Sequence, residues 1–139
     1  MEYLTAQQIL YIHARVIAET GGAHGVRDLR ALQAAVARPP ATFACEDLYG
    51  DTFAKVVALF ESLILNRPFV DGIKRTAVTA AALFLLRNGF RLECPSDELE
   101  AFALAAAGGE LSPREMADWF RRYAVPHGGD SAHSTRGFY

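Results

Sequence analysis

Asn66-Arg67-Pro68-Phe69-Val70-Asp71-Gly72-Ile73-Lys74-Arg75-Thr76 separates two long apolar segments, and its composition decides how they are arranged. Pro68 disfavours helical geometry in the residue before it, so the upstream helix must stop near Asn66. Asp71-Gly72 forms a turn, and a second helix then runs from Ile73 to Asn88, where Asn88-Gly89 supplies its stop. Beyond Thr76 that second helix is apolar on nearly every face, which places it at the buried centre of a helical bundle.

Working outward, Asp51 caps the upstream helix, whose Phe53, Val56, Val57, Phe60, Leu63 and Ile64 share one side. Nearer the start, Thr5 and Gln8 read as a capping box with Leu4 and Ile9 as a hydrophobic staple. Ile9, Ile12, Val16 and Ile17 follow at helical spacing until Gly21-Gly22. Asp28 can cap a helix carrying Leu29, Leu32 and Val36, which Pro39-Pro40 ends. Residues 41–50 show no period and read as a loop or short flap.

Downstream, Phe90-Arg91-Leu92 reads as a brief extended piece, and a helix opens at Ser96 and closes at Gly108-Gly109. Ser112-Pro113-Arg114-Glu115 has Ser at the N-cap, Pro at the first helical position and Glu at the third. It begins a last helix through Met116, Trp119, Phe120 and Tyr123. Gly, Ser, Thr and His dominate from Pro126 onward, a composition that predicts a disordered tail over 126–139. The expectation is therefore all-α: one compact domain over 1–125, a bundle of about six helices around a buried central helix, with a short flap.

Bulk properties bound the function. A chain of 139 residues, 51% hydrophobic and 22% charged, suits one globular domain. A net charge of -2 supplies no overall basic field for nucleic acid, so direct nucleic-acid binding is not expected. Cys45 and Cys94 lie far apart without zinc spacing and suit a reduced pair. The start of the chain lacks a basic segment followed by an apolar core, and no stretch is long enough to span a bilayer, so a cytoplasmic location is expected.

The Asn66–Thr76 stretch also carries the chemistry. It feeds the start of a helix, where unpaired backbone N–H groups and the positive end of the macrodipole attract anions. Lys74 and Arg75 oppose that dipole, a conflict that bound polyphosphate would remove. Asp71 beside bound phosphates would suit Mg²⁺, which takes one or two carboxylates and keeps waters. On residues alone a plainer reading stays open, with Asp71 a helix cap and Lys74 and Arg75 merely solvated.

The residues Pro68-Phe69-Val70-Asp71-Gly72 … Lys74-Arg75-Thr76-Ala77 resemble the Fic/Doc signature, written H-P-F-x-D-G-N-K-R-T-A in its Doc branch. Gly25-Val26-Arg27-Asp28-Leu29 with Ala34 … Ala37-Arg38-Pro39 resembles a second stretch of Doc-like proteins, and Thr42-Phe43, Glu46 to Tyr49, and Phe84 to Phe90 also fit. The resemblance implies a helical domain that binds ATP with Mg²⁺ and transfers phosphate or AMP to a hydroxyl of a target protein, such as a translation elongation factor. It implies a partner antitoxin of the Phd type, whose C-terminal segment wraps and blocks the toxin. By the same resemblance Phe69 would anchor the loop, Asp71 serve the metal, and Gly72, Ile73, Lys74 and Arg75 line the nucleotide site; the flap would align the target.

Two positions depart from that pattern. The family's His falls at Arg67 and its Asn at Ile73. Arg has no acceptor and stays protonated, so it cannot serve as the general base expected there. The expectation is impaired transfer, with a catalytically inactive nucleotide- or antitoxin-binding module as the alternative. Elsewhere the four histidines, His24 among them, are scattered: His13 reads as a hydrogen-bonded core or boundary residue, and His127 and His133 lack companion ligands; Ser112 is a cap, and Arg27-Asp28 reads as structural.

Overall fold

The capping residues set where each helix begins. The computed structural model describes residues 1–128, with α1 at Ala6–Thr20, α2 at Leu29–Ala37, α3 at Thr52–Asn66, α4 at Ile73–Arg87, α5 at Ser96–Ala107 and α6 at Pro113–Tyr123. Thr5 and Gln8 form a reciprocal capping box on α1, as do Ser112 and Glu115 on α6. The Asp28 and Asp51 carboxylates accept from the N–H groups of Ala31 and Ala54, at 3.0 and 2.8 Å. Each cap satisfies a donor that the first turn leaves unpaired, an effect of about 1 kcal/mol.

Helices α3 and α4 share the centre. α4 was expected there, and its Ala77, Ala80, Ala81, Phe84 and Leu85 are fully enclosed. α3 is at least as deeply set: Val56, Leu59, Phe60, Leu63 and Ile64 are buried, together with Lys55 and Ser62. The small alanine face of α4 lets α3 approach closely, and α1, α5 and α6 close around the pair. Phe60, Phe102, Phe120 and Trp119 interlock at the far end, with the Phe102 ring stacked on Trp119 at 3.8 Å. Leu29, expected on the inner face of α2, is exposed; Leu32 and Ala35 supply that face.

Strand β3 (Phe90–Leu92) pairs antiparallel with β4 (Ala124–Pro126). Pro126, the first residue of the expected tail, sits opposite Phe90, and the His127 N–H donates to the Gly89 carbonyl at 2.8 Å. The rest of that expected tail, from residue 129 and including His133, lies outside the described residues.

The segment 41–50 is a hairpin. β1 (Thr42–Phe43) and β2 (Glu46–Asp47) pair antiparallel around Ala44-Cys45, both at positive φ, +53° and +66°. Two-residue hairpin turns of this kind need positive φ at both central residues and are normally Asn-Gly, which explains why no turn signal is visible here. Two cations fasten its base. Lys55 Nζ donates to the Pro39 carbonyl at 3.1 Å and pairs with Asp47 at 3.2 Å. Arg38 donates to the Tyr49 hydroxyl, Glu61 and Ser62.

Candidate functional site

The helix α4 starts without a side-chain cap. Gly72 occupies the N-cap position in left-handed geometry, φ +72° and ψ 21°. The first intrahelical bond runs from the Thr76 N–H to the Gly72 carbonyl at 3.0 Å, which leaves the N–H groups of Ile73, Lys74 and Arg75 without helical acceptors. Asp71 is not the cap: its Oδ2 accepts from the Ala23 N–H at 2.7 Å. The plainer reading of Asp71 thus does not describe this helix. Its Oδ1 has no hydrogen bond among the described residues, so one carboxylate oxygen stays available beside three free amides.

The loop before α4 is braced from two sides. Helix α1 forms its back plate: His13, buried on that helix, holds the Asp71 carbonyl at 2.8 Å from Nε2 and stacks on the Phe69 ring at 4.0 Å. A Cβ on Gly72 would stand 3.1 Å from Ile17 Cδ1 and 3.3 Å from Val16 Cγ1. Glycine is needed there both for its φ and for its lack of volume. Phe69 is buried and belongs to the hydrophobic core.

The second brace is the segment between α1 and α2. The Pro68 carbonyl accepts from the N–H groups of Arg27 and Asp28 at 2.7 and 3.0 Å, and the Val70 N–H donates to Gly25 O at 3.2 Å. Arg27 adds side-chain bonds to the carbonyls of Arg67 and Asn66, at 2.8 and 2.9 Å. Arg27 therefore works on the loop, while Asp28 caps α2. Neither the Arg27 clamp nor the His13 contact is visible in the loop's own sequence. The glycines at 21, 22 and 25, all at positive φ, are the signal that could have found the strap around Asp71.

The remaining site positions fall into two groups. Lys74 and Arg75 are exposed in the first turn; Arg75 stands 3.9 Å from Glu19, and Lys74 has no ion pair among the described residues. Arg67 is exposed in left-handed geometry at the end of α3, φ +49° and ψ 62°. Ile73 is half-buried and packs against the core. An open cleft of about 570 Å³ lies between Lys74, Arg75, Val78 and Thr79 of α4 and Leu99, Glu100 and Ala103 of α5; Asp71, Gly72 and Ile73 are not in its lining.

Such an arrangement can bind an oxyanion: fixed N–H donors at the positive end of a helix, two cations and a carboxylate able to share a divalent metal. Among the described residues no cluster of His, Cys, Asp or Glu could hold a metal by itself, so Asp71 could act only together with phosphate oxygens and water. No described helix is long and apolar enough to cross a membrane.

Comparison with known proteins gives a consistent answer. Residues 3–85 match the Fic/DOC family, a span that includes α1, both braces, the loop and most of α4. The chain is 32% identical over 122 residues to the protein kinase doc of Escherichia phage P1, covering 88% of this chain and 95% of that protein. It is 43% identical over 96 residues to the toxin Doc of Mycolicibacterium smegmatis, covering 69% of this chain and 72% of that protein.

Proposed function

The chain belongs to the Fic/DOC family, and from that premise we propose that it is a Doc-type toxin of a toxin–antitoxin system whose Mg²⁺-nucleotide site persists while group transfer is impaired. The activity it descends from moves phosphate, or AMP, from ATP to a hydroxyl side chain of a target protein such as a translation elongation factor. A Phd-type antitoxin is the expected partner. The observation that carries the reading is the start of α4, where three N–H groups lack helical acceptors beside a carboxylate that is not used as a cap.

Each residue has a role that its position supports. The N–H groups of Ile73, Lys74 and Arg75 would donate to phosphate oxygens, with the Lys74 and Arg75 side chains closing over them. Asp71 Oδ1 would hold Mg²⁺, whose charge offsets that of the phosphates. The cleft between α4 and α5, which shares Lys74 and Arg75 with the cradle, has the volume of a small-molecule site and would take the nucleoside part. The hairpin at 41–50 would align the target.

Position 67 is where turnover would fail. A general base must accept the proton of the attacking hydroxyl, and the Arg67 guanidinium has no acceptor. Loss of a general base costs about 10²–10⁴-fold in rate. Ile73 keeps the backbone donor of its position but directs its side chain against the core, which removes one polar contact to phosphate. The second reading, a pseudoenzyme that binds nucleotide or antitoxin without transfer, is favoured by Arg67 itself.

Labelled ATP, Mg²⁺ and cell extract test the proposal with two proteins, wild type and Arg67→His/Ile73→Asn. The double variant is expected to label a target and arrest growth, with wild type slower by about 10²-fold or more. Failure of the double variant in both assays would refute the toxin reading. Tight nucleotide or antitoxin binding by a wild type with no measurable transfer would favour the pseudoenzyme.

A further inference from the structure

We propose that His13 is a positioning residue for the anion cradle, acting from α1 on the two loop residues that fix where the free amides of α4 point. This rests on the nucleotide site proposed above, and adds a residue far from it in the chain.

Three observations meet at His13. Its Nε2 lies 2.8 Å from the carbonyl oxygen of Asp71, which is an acceptor only, so Nε2 must carry the hydrogen. Its ring lies nearly parallel to that of Phe69, 4.0 Å between centroids and 7° between planes. Only 4% of the His13 surface is exposed, so its imidazole is committed to these interior contacts rather than to water. One side chain thus fixes residues 69 and 71 together. The next residue, Gly72, is the cap from which α4 departs, and its Cα faces the same plate, with His13 Cδ2 3.8 Å from where a Cβ would stand.

The consequence is directional. The Asp71 carbonyl and the Gly72 N–H belong to one peptide plane. Holding that carbonyl toward α1 fixes the plane's orientation and, through Gly72, the direction in which the N–H groups of Ile73, Lys74 and Arg75 emerge. The Asp71 side chain is held separately, by the Ala23 N–H at 2.7 Å. Pre-set donors bind an anion without first paying for their own ordering, which is how a side chain that never touches the ligand can govern its affinity.

Two substitutions separate the hydrogen bond from the stacking. His13→Phe keeps a flat ring against Phe69 and leaves the Asp71 carbonyl without its donor. His13→Gln supplies an N–H donor without a ring. In ligand-free protein, hydrogen exchange of the two hydrogen-bonded amides that flank the cradle, Val70 and Thr76, is expected to quicken about tenfold in His13→Phe, with Ala80 to Leu86 unchanged, and to return toward wild type in His13→Gln. Affinity for Mg²⁺-pyrophosphate should follow the same order, about tenfold weaker for Phe and partly rescued by Gln.

A third measurement needs no variant. The ring nitrogen shifts of wild-type His13 must report a neutral ring protonated at Nε2 or a ring protonated at both nitrogens. Protonation at Nδ1 alone would overturn the proposal, as would uniform loss of protection in every helix of His13→Phe without rescue by Gln. If His13→Phe does not fold, the ring shifts together with loop exchange in His13→Gln decide the matter, near-wild-type exchange being the result that sustains the proposal. If wild type binds no pyrophosphate while loop exchange behaves as expected, the nucleotide reading fails and the positioning role of His13 stands.

Discussion

Replacing Gly72 by Ala attacks the cap of α4 by two separable routes. The first is conformational: φ is +72°, and an L-residue pays about 1–2 kcal/mol for left-handed geometry. The second is steric, since the new Cβ would stand 3.1 Å from Ile17 Cδ1 and 3.3 Å from Val16 Cγ1. Both are ends of side chains that can shift, so about 1 kcal/mol is a reasonable cost for the crowding. Against these, alanine restricts the unfolded chain and returns about 0.4–1 kcal/mol. The net is a loss of about 1–2.5 kcal/mol, or roughly 4–10 °C in Tm for a chain of this size. Gly109→Ala is the internal reference, because Gly109 has a similar φ of +73° with nothing within 4 Å of the added carbon. Melting followed by circular dichroism should show a smaller fall there than at Gly72. Equal falls would refute the crowding, and a Gly72→Ala protein as stable as wild type would refute the whole reasoning.

Three further outcomes are expected. Burial pulls the Lys55 ammonium down, but the Tyr3 hydroxyl and the Asp47 carboxylate outweigh it, and its pKa ends above 10.5. Its stabilising share is therefore complete below pH 10.5 and lost as pH rises through the folded value, so Lys55→Met should flatten the alkaline fall of Tm; identical curves between pH 8 and 12 would contradict this. Cys45 is exposed at the hairpin tip, whereas burial pushes the Cys94 thiol up and Glu98 and Asp97 add to it, so thiol titration near pH 8 should resolve one fast and one slow group, with Cys45 the fast one by mass spectrometry. Ser112→Ala should lower stability by about 1 kcal/mol, because it removes the side-chain acceptor of the Glu115 N–H; an unchanged Tm would show that water replaces it.

Much of the fold was legible because local chemistry and global packing agree. Thr5, Asp28, Asp51 and Ser112 cap the helices that their sequence context predicts, each through a bond a few residues away. The hairpin at 41–50 was less legible, since Ala44 and Cys45 carry none of the residue types that favour its turn and its footing comes from Lys55 and Arg38, distant in sequence. Leu29 shows the limit of period alone: it lies in the first turn of α2 and points to solvent.

The candidate site divides the same way. Gly72, Lys74 and Arg75 are adjacent in the chain, so their shared turn could be read directly. The fate of Asp71 could not, because cap and bystander look alike until Ala23 is seen to hold its carboxylate. His13 and Arg27 act across 58 and 40 residues of chain, and no spacing rule announces contacts of that length. The match over 3–85 includes both of them, which places the braces within the family's part of the chain.

The central claim is that the start of α4 is a built polyphosphate site that outlasts the loss of the base at position 67. Titration of ¹⁵N-labelled wild type with ATP and Mg²⁺ addresses it most directly, through the amides of Ile73, Lys74 and Arg75. The account predicts that these three resonances move most, that Mg²⁺ strengthens the response, and that Asp71→Asn abolishes the Mg²⁺ dependence while leaving residual binding. Largest shifts away from residues 71–79, or no saturable response at millimolar ATP, would contradict it.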